Sequence, residues 1–169
     1  SPHPHQLDML DRGTDPATLL VAPTGGGKTL AGFLPTLVEL IEKPRVGLHT
    51  LYISPLKALA ADMRRNLTGP ITEMGLPIRV EDRSGDTSQT RKKAQRADPP
   101  HILLTTPESL ALLLSYEDAP RMFAGLERVV VDELHALAES KRGDQLMLCL
   151  ARLETLRPGL RRVGLSATV

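Results

Sequence analysis

Two stretches of this 169-residue chain carry side chains that a fold alone does not require. In "VVVDELHAL", residues 129–137, the adjacent carboxylates Asp132 and Glu133 and the imidazole of His135 follow three valines. A β-branched apolar run reads as a buried strand, and charges at its end are either a solvated turn or have a task. The second stretch is "APTGGGKT", residues 22–29, set between an apolar run and an amphipathic one. Successive backbone N–H groups of a glycine-rich loop can wrap a triphosphate, and the N-terminus of the helix that follows adds partial positive charge. Three glycines in a row permit close backbone approach. Lys28 supplies a point charge for the β- and γ-phosphates and Thr29 a hydroxyl for Mg²⁺. The usual G-x-x-x-x-G-K-[ST] pattern begins with glycine; here Ala22 stands first.

A triphosphate held by such a loop needs a second carboxylate near Mg²⁺, at the end of a neighbouring parallel strand. Asp132 is the candidate, and Glu133 is then placed to polarise an attacking water. Four residues make a weak motif singly, but together with the loop they fit one site.

The elements that must position these residues alternate along the chain. Short apolar runs at 18–23, 49–55, 78–82, 101–107, 128–133 and 161–168 are bounded by Gly, Pro or polar residues and predict strands. Between them, Lys28 to about Glu42 places Leu30, Phe33, Leu34, Leu37, Leu40 and Ile41 at helical spacing. Pro35 removes one backbone donor inside that helix and predicts a kink. Lys57 to Gly75 predicts one or two helices, interrupted at Gly69 and Pro70. Shorter helices are expected over Ser88 to Arg96 and Glu108 to Tyr116, and the longest over Ser140 to Leu156. Strand–helix alternation means a doubly wound α/β domain, with a mostly parallel sheet and helices on both faces.

Composition narrows the remaining classes. With 21 Lys+Arg against 20 Asp+Glu, bulk charge does not point to nucleic acid or membrane. The basic run Arg91, Lys92, Lys93 and Arg96 reads as a solvated helix face. The single cysteine, Cys149, excludes an internal disulfide framework, fits a reducing cytosol, and reads as a small buried hydrophobe. No apolar stretch approaches the roughly 20 residues of a spanning helix. With no Trp and 2% aromatic residues, a base-stacking platform is not visible.

In order and separation, "APTGGGKT", "DELH" and "LSAT" (165–168) resemble the first RecA-like domain of superfamily-two DExH helicases, over essentially the whole chain. "LYISPLKALAADMRRNL", "ILLTTPESLALLL" and "DELHALAESKRG" are similar to the Lhr group. "GLPIRVEDRSGDT" and "DPPHILLTTPESL" most resemble its bacterial ligase-associated DEXH box branch. The resemblance implies that residues 1–169 are one RecA-like P-loop NTPase domain of a longer, cytoplasmic ATP-dependent DNA helicase. It implies that Gln6 reads adenine, that Thr24, Gly25, Gly26, Gly27, Lys28 and Thr29 hold the phosphates, and that Thr29 and Asp132 hold Mg²⁺. Glu133 would orient or deprotonate water, and His135 would couple the ATP site to Ser166 and Thr168. It also implies nucleic-acid contacts from Ser54, Pro55 and Lys57, from Gly85 and Asp86, and from Thr106, Pro107 and Glu108, directed at phosphates rather than bases.

The expected partners are a DNA track, a second RecA-like domain supplying a transition-state arginine, and a DNA ligase and a nuclease as functional neighbours. Unwinding is expected to run 3′ to 5′ during repair, and the 169 residues alone are expected to turn over ATP poorly. An RNA track is the nearest alternative, because backbone-directed motifs do not distinguish the 2′-OH. A small-molecule phosphotransferase would share the loop without needing "SPLKALA" or "LSAT". A nucleotide switch would not need Glu133.

Overall fold

The computed structural model describes residues 17–22, 26–137 and 140–167, and gives the backbone course alone for 17–22, 26–30 and 167. Six strands form one sheet: β1 (Ala17–Ala22), β2 (Thr50–Ile53), β3 (Val80–Arg83), β4 (Ile102–Thr105), β5 (Arg128–Val131) and β6 (Arg161–Ala167). Their order is β1-β6-β5-β2-β4-β3, and every pairing is parallel. Parallel neighbours need crossovers, and helices supply them. These are α1 (Gly26–Glu42), α2 (Lys57–Glu73), α3 (Gln89–Ala97), α4 (Pro107–Ser115), α5 (Ala119–Phe123), α6 (Leu134–Leu137) and α7 (Lys141–Leu156). This is the doubly wound α/β architecture that the alternation of elements predicts.

The central strands β2, β4 and β5 are buried at every position, as strands covered on both faces must be. Alternate residues feed two cores. Leu51, Ile53, Leu103, Val129 and Val131 pack under α4, α5 and α7, against Leu110, Phe123, Leu146, Leu150 and Leu153. Tyr52, Leu104, Val130 and Leu165 face α1 and α2, against Phe33, Leu37, Leu67 and Ile71. Each fully buried leucine or phenylalanine contributes about 1.5–3 kcal/mol. Cys149 lies in the first core, 4% exposed, and burial pushes its thiol up to about 11, which fits the small-hydrophobe reading.

Three details differ from the sequence expectation. Helix α2 runs through Gly69 and Pro70 without a break. Both residues face solvent, so water can satisfy the backbone carbonyl that Pro70 leaves without a donor, while buried Leu67 and Ile71 hold the helix on either side. The short helices α5 and α6 were not anticipated; five and four residues are too few to show a period. Strand β3 lies at Val80–Arg83, two residues later at its start than the apolar pattern suggests, because it is an edge strand and only partly covered.

At the N-terminal ends of the strands, a polar network ties α1 to the sheet. The Arg128 guanidinium donates two bonds to the Glu39 carboxylate (2.7 and 3.2 Å) and one to Thr36 Oγ1 (3.1 Å). Glu39 also lies 3.0 Å from His49 Nε2 and 2.9 Å from Arg161. Burial disfavours the Glu39 charge, but the Arg128 bonds and neighbouring cations outweigh it and hold the carboxyl below its ordinary value. Burial likewise depresses His49, against the pull of Glu39. Helix α1 is thus anchored at its end, leaving its first turn at the opposite rim.

Candidate nucleotide site and nucleic-acid groove

In a parallel sheet all strand C-termini open on one rim, where ligands of such folds bind. Strand β1 ends at Ala22, and α1 begins at Gly26, so Gly26, Gly27, Lys28 and Thr29 form that helix's first turn. Strand β5 ends at Val131 on the same rim, separated from β1 only by β6. Two strand spacings are about 10 Å. The register sets Val21 beside Ser166 and Val131 beside Gly164, so the loop's helix, Ser166 and Asp132 come out along one edge. Gln6, Thr24, Gly25 and Thr168 lie outside the described residues.

Asp132 continues β5, its N–H bonded to the Ile53 carbonyl at 2.8 Å, and is 4% exposed. One carboxylate oxygen accepts the Glu133 N–H at 2.8 Å. The other accepts the hydroxyl of Tyr52, which is wholly buried and leans on Phe33 with ring centroids 5.5 Å apart. Burial, with the Asp132 carboxylate beside it, drives the Tyr52 phenol well above its ordinary value, so it stays a donor. Tyr52 lies inside the quoted "LYISPLKALAADMRRNL", but no sequence pattern gave it a role. These two bonds hold the Asp132 carboxylate in one orientation. A fixed carboxylate is one of the hard oxygen donors that Mg²⁺ takes beside a nucleotide's phosphates.

Glu133 turns the chain from strand to helix with φ of 51°. That left-handed backbone costs a non-glycine residue about 1–2 kcal/mol, and such cost gathers at functional positions. Glu133 Oε2 lies 3.0 Å from His135 Nε2, and His135 Nδ1 lies 3.1 Å from Ser166 Oγ. The imidazole therefore bridges β5's acidic pair to β6, bringing together three residues the sequence had grouped.

The other half of the rim holds a groove of about 430 Å³. Pro55, Leu56 and Lys57 enter it after β2, Gly85 and Asp86 after β3, and Thr106 and Glu108 after β4. Ser54 and Pro107 are buried just behind, Ser54 bonding the Leu56 N–H at 3.3 Å and Pro107 opening α4 under the Thr106 cap. Lys92 and Arg142 also line the groove, two cations the sequence did not single out for it. The basic run is split: Arg96 stacks 3.6 Å over the Tyr116 ring and pairs with Asp118, and Arg91 reaches Asp82 at 3.8 Å. A larger cavity, about 610 Å³, lies beside α7 between Met147, Ala151 and Arg162 and contains none of the motif residues.

This fold and rim define a RecA-like helicase domain, and the sequence matches the DEAD/DEAH box helicase family over residues 3–169; the chain belongs to that family. Within it, the chain is 47% identical over 166 residues to the ATP-dependent helicase Lhr-Core protein 2 of Thermococcus barophilus, covering 89% of this chain and 19% of that protein. It is 45% identical over 186 residues to the Lhr helicase/probable uracil glycosylase of Mycolicibacterium smegmatis, covering 100% of this chain and 12% of that protein. The solved structure of Mycobacterium smegmatis helicase Lhr bound to ssDNA and AMP-PNP superposes with a TM-score of 0.81 at 45% identity, over 100% of this chain and 23% of that one. The chain therefore spans no more than a quarter of these relatives. No helix among the described residues is long and apolar enough to cross a membrane.

Proposed function

We propose that this domain is the ATP-binding first motor domain of an ATP-dependent nucleic-acid translocase of the Lhr kind. The observation that carries it is the chain of contacts Tyr52–Asp132–Glu133–His135–Ser166, on the rim where the "TGGGKT" loop enters α1. The Mycobacterium smegmatis relative, bound to AMP-PNP and ssDNA, supports both halves of the reading. Gln6 reads the adenine, Thr24 to Gly27 wrap the phosphates, and Lys28 neutralises charge at the β/γ oxygens. Thr29 and Asp132 would hold Mg²⁺, which supplies positive charge to the transferring phosphoryl group. Glu133 orients the attacking water and accepts its proton. His135 senses the state of Glu133 and passes it to Ser166 and Thr168, which precede the link to a second RecA-like domain of the same polypeptide. That domain supplies the transition-state arginine, so residues 1–169 alone turn over slowly.

The groove grips a single strand by its phosphates. DNA is favoured over RNA as the track, with 3′ to 5′ movement during repair in the bacterial cytosol, in the company of a DNA ligase and a nuclease. The branch resemblance of "GLPIRVEDRSGDT" supports those last assignments. The test is ATP hydrolysis by the full-length protein with single-stranded DNA, duplex DNA and RNA in parallel, for the native sequence and Glu133→Gln. Single-stranded DNA should stimulate most, and Glu133→Gln should keep nucleotide binding while losing 10²-fold or more of turnover, the scale of a general base. Turnover indifferent to every nucleic acid would remove the translocase reading.

A further inference from the structure

The groove's charges are arranged in a way that its motifs do not explain. Three cations line it, Lys57, Lys92 and Arg142, with two carboxylates, Asp86 and Glu108. Lys57 is paired with Asp86. Arg142, in the first turn of α7, presents a two-pronged fork to Glu108 in the first turn of α4: Nε donates to one carboxylate oxygen and Nη2 to the other, the latter at 3.0 Å. Lys92 has no carboxylate within ion-pair distance among the described residues, whereas Arg91 and Arg96 on the same helix do. A groove meant for phosphate thus holds its own anions.

Resting on the proposed function, we infer that Arg142 and Lys92 are phosphate contacts of the strand-binding groove, and that Glu108 is a resident counter-ion which Arg142 exchanges for a phosphate when a strand enters. The exchange is chemically close, since the guanidinium fork fits carboxylate and phosphate oxygens with the same two parallel bonds. It is also cheap. Both side chains are more than a third exposed (37% and 51%), where ion pairs contribute little. Glu108 is held in the first turn of α4, where the helix dipole favours an anion, so it is still close by to repel the strand and recapture Arg142 as the strand leaves. A site built this way releases its track readily, which suits a protein that must let go at every step.

The arrangement has a measurable signature in salt dependence. Each phosphate neutralised on a single strand contributes a slope of about −0.7 in log K against log salt. Glu108 cancels Arg142 in advance, so the native groove shows a shallower slope than its number of cations. Binding of a fluorescent single-stranded thymidine homopolymer to the full-length protein, across a salt series without nucleotide, reads this directly. Glu108→Gln should tighten binding about fivefold near 0.1 M salt and steepen the slope by about 0.7. Lys92→Gln, which disturbs no ion pair, should weaken binding about fivefold and flatten the slope by the same amount. Arg142→Gln should weaken it at least as much, because Glu108 is then left uncompensated. The double variant Glu108→Gln/Arg142→Gln should return towards the native slope. If the native protein binds the strand but Glu108→Gln and Lys92→Gln leave affinity and slope unchanged, the exchange is wrong and the translocase reading stands. If the native protein binds no strand at any salt, the groove assignment itself fails, and the exchange with it.

Discussion

Removing one oxygen atom, by Tyr52→Phe, tests whether the acidic pair is held as the structure describes. The Tyr52 hydroxyl is wholly buried and donates to an Asp132 carboxylate that is 4% exposed, so water cannot readily take its place. A hydrogen bond to a charged group is worth about 1.5–3 kcal/mol. Phenylalanine keeps the ring against Phe33, so almost no cavity is opened and the change isolates the bond. In a 169-residue domain each kcal/mol moves the melting midpoint by about 2–4 °C, giving an expected fall of about 3–12 °C. Circular dichroism melts of Tyr52→Phe, Asp132→Ala and the double variant complete a cycle, with an expected coupling of at least 1 kcal/mol. Single losses that add to within about 0.5 kcal/mol would show that the two groups do not meet, and Asp132 would then need another support.

The network at the opposite rim makes stability depend on pH, with a definite sign. His49 is depressed below its ordinary value by burial among Glu39, Arg45, Arg128 and Glu127, so below about pH 6.5 the unfolded chain takes up the proton more readily than the folded one. Stability should fall as pH drops through that region, and again below about pH 4.5 as the lowered Glu39 carboxyl is protonated. Urea midpoints should follow this course, with the first fall absent in His49→Asn; a native midpoint that rises between pH 7.5 and 5.5 would contradict the assigned burial. In the α7 core, Leu153→Ala removes a wholly buried side chain and should cost about 2–5 kcal/mol by urea titration, with nucleotide affinity intact in the fraction that folds.

The architecture could be read from the residues because its strands are buried on both faces. "LYI", "ILLT" and "RVVV" are continuous apolar runs with helical spacing between them, and that pattern admits few folds. The candidate nucleotide residues could be proposed because polyphosphate chemistry demands particular residue types next to one another in the chain, as in "GGGKT" and "DELH"; the structure sets Asp132 on the rim where α1 begins. Tyr52, Lys92 and Arg142 escaped for the opposite reason. Tyr52 and Arg142 meet partners 80 and 34 positions away, and Lys92 reaches the groove only because its helix packs beside the others; the parallel register brings Tyr52 to Asp132 and the start of α7 to the start of α4. Pro70 misled because proline weighs against a helix interior, while here water reaches the freed carbonyl and buried Leu67 and Ile71 hold the helix on either side.

Strand β2 lies between the two halves of the rim, hydrogen-bonded to β5 on one side and β4 on the other. Tyr52 grasps the acidic pair from it, and five residues later Lys57 stands in the groove, with Ser54 still laddered to Thr105 at 3.0 Å. So short a tether, braced along both edges, has no slack to absorb a push. The hydroxyl that holds the acidic residue and the lining of the groove share one short strand, with Ile53 and Ser54 alone between Tyr52 and the groove-lining Pro55.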